Sequence, residues 1–230
     1  APPNSAINGD LGNAYGAFNQ GDLNATIGIT QQVWQLQPTR SDALLLLVRS
    51  LIYRSYVDYN RDVDREIALD YARLAYENNP TDPDVMTAYA FALQATLQPI
   101  EAADLVRAVL QDDPDHVMAW VVLGLSYGGV GGYERALAIN AQIDVDDDSV
   151  FAMDVYRARA IHFHDLGRYL EAISAIDNAL DINSRLITLH FERAQYTRLQ
   201  GLTDSSVASY FRVMAFDSDN VKARLRMCEL

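Results

Sequence analysis

Two acidic stretches have the spacing of a cation-binding loop. Asp144, Asp146 and Asp148 stand at alternate positions, and Asp58, Asn60 and Asp62 repeat the arrangement. A calcium loop also needs a glycine at its sixth position for the sharp turn and a bidentate glutamate at its twelfth. The first stretch has Ser149 and Val155 there, and the second has Val63 and Leu69. Both lack the ligand that closes the loop, so no metal is expected and the acids read as caps and solvated turns. His162 and His164 are two apart, which on a helix puts them on different faces. A zinc pair on one helix would be four apart. His116 and His190 stand alone, and a satisfied or solvated imidazole is the expectation for all four. Gly128-Gly129-Val130-Gly131-Gly132 lacks the Lys-Ser/Thr that completes a phosphate loop, so it reads as a flexible corner. There is no Gly-x-Ser-x-Gly elbow and no dinucleotide fingerprint. Cys228 lies near Arg224 and Arg226, which would favour its thiolate, yet no general base accompanies it. With no nucleophile–base constellation, neither catalysis nor a cofactor is expected.

Composition narrows the classes further. The chain has 230 residues, half of them apolar, and a formal charge of −13. That is globular rather than disordered composition. Neutralising nucleic-acid phosphates takes Lys and Arg, so no nucleic-acid partner is expected, and an anionic membrane surface is disfavoured for the same reason. The longest apolar run, Leu44 to Val48, ends at Arg49, far short of the ~20 residues of a span. A single cysteine excludes an internal disulfide framework and a Cys-rich zinc site. Lys222 is the only lysine, against 17 arginines. The first residues, Ala1 to Ser5, lack an initiator Met, which fits either a processed start or an excerpt. Residues 221–230 have helical composition without a stop signal, compatible with a chain that continues.

The elements that must position any site follow from an internal period. Apolar segments end at Pro38, Pro80, Pro114, Asp148, Ser184 and Ser218, at intervals of 42, 34, 34, 36 and 34 residues. A proline cannot continue the helix before it. Midway marks fall at Gly21, Gly132, Gly167 and Gly201, where glycine suits the left-handed residue that closes a helix. Gln98-Pro99 fills that place in the third unit, with proline suited to a first helical turn. Between the marks, apolar residues recur at spacings of three and four, as in Ala172, Ile173, Ile176, Ala179 and Leu180. Each unit therefore reads as helix, turn, helix. Asp82-Pro83, Ser41 and Asp115 read as helix starts. The expected units are 5–38, 39–80, 81–114, 115–148, 149–184 and 185–218, with a terminal helix over 219–230.

These residues resemble the tetratricopeptide repeat. Trp120, Leu123-Gly124, Tyr127, Gly131, Tyr133 and Ala136 follow its pattern in order, and Tyr156, Ala160, Phe163, Gly167, Tyr169, Ala172, Ala179 and Leu180 do so again. The first three units match through Gly21, Leu23, Val33 and Pro38, then Ala68, Ala72, Ala75 and Pro80, then Ala90, Ala102, Val109 and Pro114. The small residues let paired helices approach, and no single pair hides its apolar face, so stacking six buries one core. Departures are eight extra residues in the second unit around Asp58–Asp64, two extra near Asp147–Ser149, and Thr203 and Ser206 where Tyr and Ala are usual.

The resemblance implies an all-α, right-handed α-solenoid lined on its concave side by the first helix of each pair. It further implies a scaffold or adaptor that binds a protein or peptide in that groove. The residues placed there are Tyr15, Phe18, Arg49, Phe91, Leu125, Arg157, Phe191 and Arg198. The aromatic and aliphatic members would bury a partner's apolar face, and the arginines would orient it. The competing expectation is that these residues pack against neighbouring repeats or a terminal helix. A carboxylate clamp of Lys and Asn is absent: its places hold Leu11 and Tyr15, Leu45 and Arg49, Thr87 and Phe91. Residues 111–148 carry eight acidic side chains against Arg135, whereas 185–230 carry seven basic against five acidic. A basic partner on the acidic middle is one reading, and solvated turns the other. A structural or self-associating module, with helix 221–230 as the contact, is the alternative function, so a homo-oligomer stays open.

Overall fold

The computed structural model describes residues 3–57, 61–145 and 149–230, with side chains from Asp10 onward. The described residues form thirteen α-helices and no strand. They run as hairpins: α1 (Pro3–Asn19) with α2 (Leu23–Leu36), α3 (Ser41–Ser55) with α4 (Val63–Asn78), and α5 (Pro83–Ala95) with α6 (Pro99–Asp112). Then come α7 (Val117–Gly129) with α8 (Tyr133–Asn140), α9 (Ala152–Asp165) with α10 (Tyr169–Ile182), and α11 (Ile187–Leu199) with α12 (Thr203–Phe216). Helix α13 (Val221–Cys228) follows. The extra length of the second unit falls between α3 and α4, where residues 58–60 lie outside the described ones; so do 146–148 of the other acidic stretch.

Five hairpin turns share one hydrogen-bond scheme. The amide after the left-handed residue reaches back five residues: Asp22 to Ala17, Gln98 to Leu93, Gly132 to Tyr127, Arg168 to Phe163 and Leu202 to Thr197, at 2.8–2.9 Å. Gly21, Gly167 and Gly201 take the left-handed φ as expected, while in the α7–α8 turn it is Gly131, one residue before the expected Gly132, which caps α8 instead. In the fifth the residue is Leu97, with φ of 63° and a side chain 88% exposed. A leucine there is strained by about 1–2 kcal/mol, partly offset in a comparison with glycine by glycine's freer unfolded chain. Leu97→Gly is therefore expected to raise stability by about 0.5–1 kcal/mol in urea unfolding.

Helix starts follow the sequence in part. Asp82 caps α5, accepting from the Val85 amide at 3.0 Å, with Pro83 in the first turn. Ser41 does not cap α3: the N-cap is Arg40, and the Ser41 hydroxyl meets Asp84 at 3.4 Å. Asp115 does not cap α7 either. The cap is His116, whose Nδ1 accepts from the Ala119 amide at 3.2 Å, one residue later than the acid.

The small residues sit where helices touch. Ala136, Ala160 and Ala172 are fully buried. A Cβ on Gly124 would lie 2.2 Å from Asn140 Oδ1, so α8 approaches α7 only because that side chain is missing. Ser206 holds the buried place of an alanine, and its hydroxyl donates to the Ala194 carbonyl at 2.8 Å. The polar departure in the sixth unit is thus satisfied rather than loosely packed.

One cluster of buried apolar residues runs through the middle hairpins, from Ile27 to Ala158. A second joins the two ends of the chain: Leu11, Phe18, Leu46 and Tyr53 pack with Ile176, Leu186, Leu189 and Tyr196. The stack curls until its first hairpins meet its last. Its accessible surface is 10783 Å². A compact chain of 25.6 kDa should expose about 10,400 Å², so the stack is close to compact.

Candidate functional site

The face expected to receive a partner is where the ends meet. Of its eight residues, Phe18, Arg49, Phe91, Leu125, Arg157 and Phe191 are buried, Tyr15 is half-buried and Arg198 is exposed. Closure of the stack makes most of that face interior. Arg49 and Arg157 meet acids of their own chain. Arg49 Nε donates to Asp154 Oδ1 at 2.9 Å, and its Nη2 donates to Asp154 Oδ2 and, at 2.8 Å, to the Val150 carbonyl. Its guanidinium lies 4.4 Å from the Phe18 ring centre and 5.2 Å from that of Phe151. The Tyr53 hydroxyl donates to the same carboxylate at 2.6 Å. Arg157 binds Glu192 through Nε at 3.0 Å to both oxygens, beneath the Tyr53 and Tyr56 rings.

Burial opposes the charge on both arginines, yet the adjacent carboxylates hold them protonated, Asp154 for Arg49 and Glu192 for Arg157. Burial, then the Asp154 charge, pushes the Tyr53 phenol well above its usual range, so it stays a neutral donor. None of these groups is poised for proton transfer near neutral pH; the cluster is a seal.

Backbone contacts complete the seam. Asn183 Nδ2 donates to the Phe18 carbonyl at 2.8 Å, and Thr188 Oγ1 to the Tyr53 carbonyl at 2.9 Å. Gly21 presses on the α10–α11 corner, where an added Cβ would come 2.5 Å from the Arg185 carbonyl oxygen. From α13 and its cap, Asn220 Nδ2 reaches the Val57 carbonyl at 3.1 Å and Lys222 Nζ reaches that of Tyr56. The terminal helix thus fastens the end of α3 to the last hairpin. Its Val221 and Leu225 remain half exposed.

One opening beside the seam is a pocket of about 290 Å³ between α11, α12 and α13. Arg198, Lys222 and Arg226 line it with Gln195, over an aromatic floor that includes Phe191 and Tyr210. Among the described lining residues Glu192 is the one acid, and Arg157 already holds it. Lys222 Nζ also sits 4.9 Å from the Phe191 ring centre. Burial, then the Arg226 charge, moves its ammonium below the usual lysine range. Lys222 and Arg226 were missed from sequence because the terminal helix lies outside the repeat; the lone lysine was the available signal.

The other candidates resolve variously. His116 caps α7 and meets Asp84 at 3.2 Å, and His190 Nε2 meets the Ser184 carbonyl at 2.8 Å. His164 pairs with Asp165 at 2.9 Å. His162 departs from expectation. It is fully buried, and neither ring nitrogen has a hydrogen-bond partner among the described residues. It fits there because Gly128 is bare: a Cβ would lie 3.1 Å from its Cε1. Burial drives its pKa down to about 4. No group of three metal-ligating side chains occurs among the described residues, and no helix there is long and apolar enough to cross a membrane. Asp112 and Asp115 are exposed at the end of α6.

No protein-family model and no curated relative matches the chain by sequence. Solved structures do match by shape. One is a thermophilic tetratricopeptide-repeat protein of Thermus thermophilus, 17% identical, with a TM-score of 0.63 over 77% of this chain and 96% of that one. Another is a tetratricopeptide repeat protein from Parabacteroides merdae, also 17% identical, with a TM-score of 0.53 over 98% of this chain and 88% of that one. Both likenesses are of fold. The chain has the fold of a tetratricopeptide-repeat α-solenoid.

Proposed function

We propose that the chain is a non-catalytic protein-interaction scaffold whose partner docks at the α11–α13 end rather than along the inner face. The observation that carries this is the sealing of that face by Arg49–Asp154 and Arg157–Glu192, which leaves Arg198 exposed beside an open, cation-lined pocket. A partner in the expected groove would have to displace two buried ion pairs and the Phe18–Tyr53 packing. At the pocket it meets arginines already facing solvent or surface pairs, such as Arg226 with Glu229 at 2.8 Å. Exposed pairs of that kind are worth under about 1 kcal/mol and are readily exchanged.

Phe91 and Phe191 are poor residues for testing a groove, because truncating buried aromatics costs about 3–5 kcal/mol and would unfold the array before disarming it. The informative variant is Arg198→Glu with Arg226→Glu. Immobilised wild type and variant are compared for the proteins they retain from a lysate of the source organism, with thermal melts of both. Support is a protein retained by the wild type and lost by an equally stable variant. Identical retained sets, or no specific protein on the wild type, would reject the docking site.

A further inference from the structure

We infer that the α11–α13 pocket recognises an acidic peptide segment of the partner, through side-chain carboxylates set between Arg198, Lys222 and Arg226; this rests on the docking reading above. Three observations converge. The pocket gathers cations from two helices that are separate in sequence, Arg198 on α11 and Lys222 and Arg226 on α13. Its one acid among the described lining residues is spoken for, since Glu192 accepts from Arg157 at both oxygens. And this cationic end belongs to a chain of net charge −13, in which residues 185–230 alone carry a surplus of basic groups among the regions compared above.

The field of such a molecule repels an acidic segment from the middle repeats and tolerates it here, which orients the encounter. Arginine offers a planar fork for a carboxylate, and Lys222 adds a compact point charge behind it. Lys222 is held toward the Tyr56 carbonyl and the Phe191 ring, so its position is set before a ligand arrives. The ring and Tyr210 give the stem of a glutamate an apolar floor. At about 290 Å³ the pocket is at the small end of ligand sites, suited to a few side chains of a peptide rather than to a large cofactor.

The test is calorimetric titration with an N-acetylated, C-amidated hexaglutamate peptide, its hexaglutamine counterpart and inorganic phosphate. These are run on wild type, on Arg198→Gln with Arg226→Gln, and on Arg73→Gln, an exposed arginine of α4 that pairs with Asp70. The expected result is binding of hexaglutamate alone, weakened at least about tenfold in the pocket variant, unchanged in Arg73→Gln, and weakened by added salt. Equal binding of hexaglutamine, or hexaglutamate binding that survives in the pocket variant, overturns the proposal. So does phosphate competing as well as the peptide, which would make the site one for small anions. A concentration-dependent oligomer of the wild type that dissociates in the pocket variant would reassign the acidic segment to a second copy. If no peptide binds while the lysate partner still depends on Arg198 and Arg226, the docking site stands and the acidic chemistry fails.

Discussion

Asp154→Asn is expected to destabilise the fold by about 3–5 kcal/mol, read as a drop in the urea midpoint. The carboxylate accepts from Arg49 at two nitrogens and from Tyr53, and both members of the ion pair are almost wholly buried. An amide keeps the shape and loses the charge. Arg49 is then a buried cation facing a neutral amide, the Val150 carbonyl and two aromatic faces, with no counter-charge. Removing the cation as well should recover much of the loss. Arg49→Met with Asp154→Leu leaves no uncompensated charge, and such swaps are often neutral or stabilising. The double variant is therefore expected to lose far less than the sum of the two single losses. Additive losses would mean that the pair does not hold the ends together. Tyr53 gives no pH dependence near neutrality, because its phenol stays protonated well above the usual range.

The second large effect is on acid stability. His162 has a folded pKa of about 4 against an ordinary 6.5, so the unfolded chain binds its proton more readily than the folded one. Stability then rises with pH between those values. The neutral-imidazole contribution is fully present above pH about 6.5 and is lost as pH falls toward 4, to a total on the order of 3 kcal/mol. His162→Leu removes the titration and also two buried nitrogens without partners, so at neutral pH it should be neutral or stabilising. Between pH 6.5 and 4 the variant should lose distinctly less stability than the wild type. Parallel curves would show that the imidazole is solvated in the folded state.

What was legible in the sequence is what is local. Pro38, Pro80 and Pro114 stop helices by geometry that acts over a few residues, and Gly21, Gly167 and Gly201 supply left-handed φ at the corners, with Gly131 rather than the expected Gly132 at the fourth. Those signals fix the repeat and, with Ala136, Ala160 and Ala172, the helix pairing. Leu97 shows the same corner made without its usual residue. The fate of the concave face was not local. Arg49 and Asp154 are 105 positions apart, and Asn183 reaches Phe18 across 165. No periodicity couples such positions; they meet because the curvature of the stack accumulates over several hairpins. What Phe18, Arg49, Arg157 and Phe191 would face depended on that accumulated curvature. The same holds for Lys222, whose place beside Phe191 is set by the path of the chain after α12.

Closure of the stack is the claim on which the docking site and the Asp154 effect both depend, and small-angle X-ray scattering of the wild-type chain tests it most directly. A curled array of 230 residues should show a radius of gyration of about 17 Å with a single, nearly symmetric distance distribution. A clearly larger radius with a long tail would describe an open superhelix whose inner face is free, and would contradict the account.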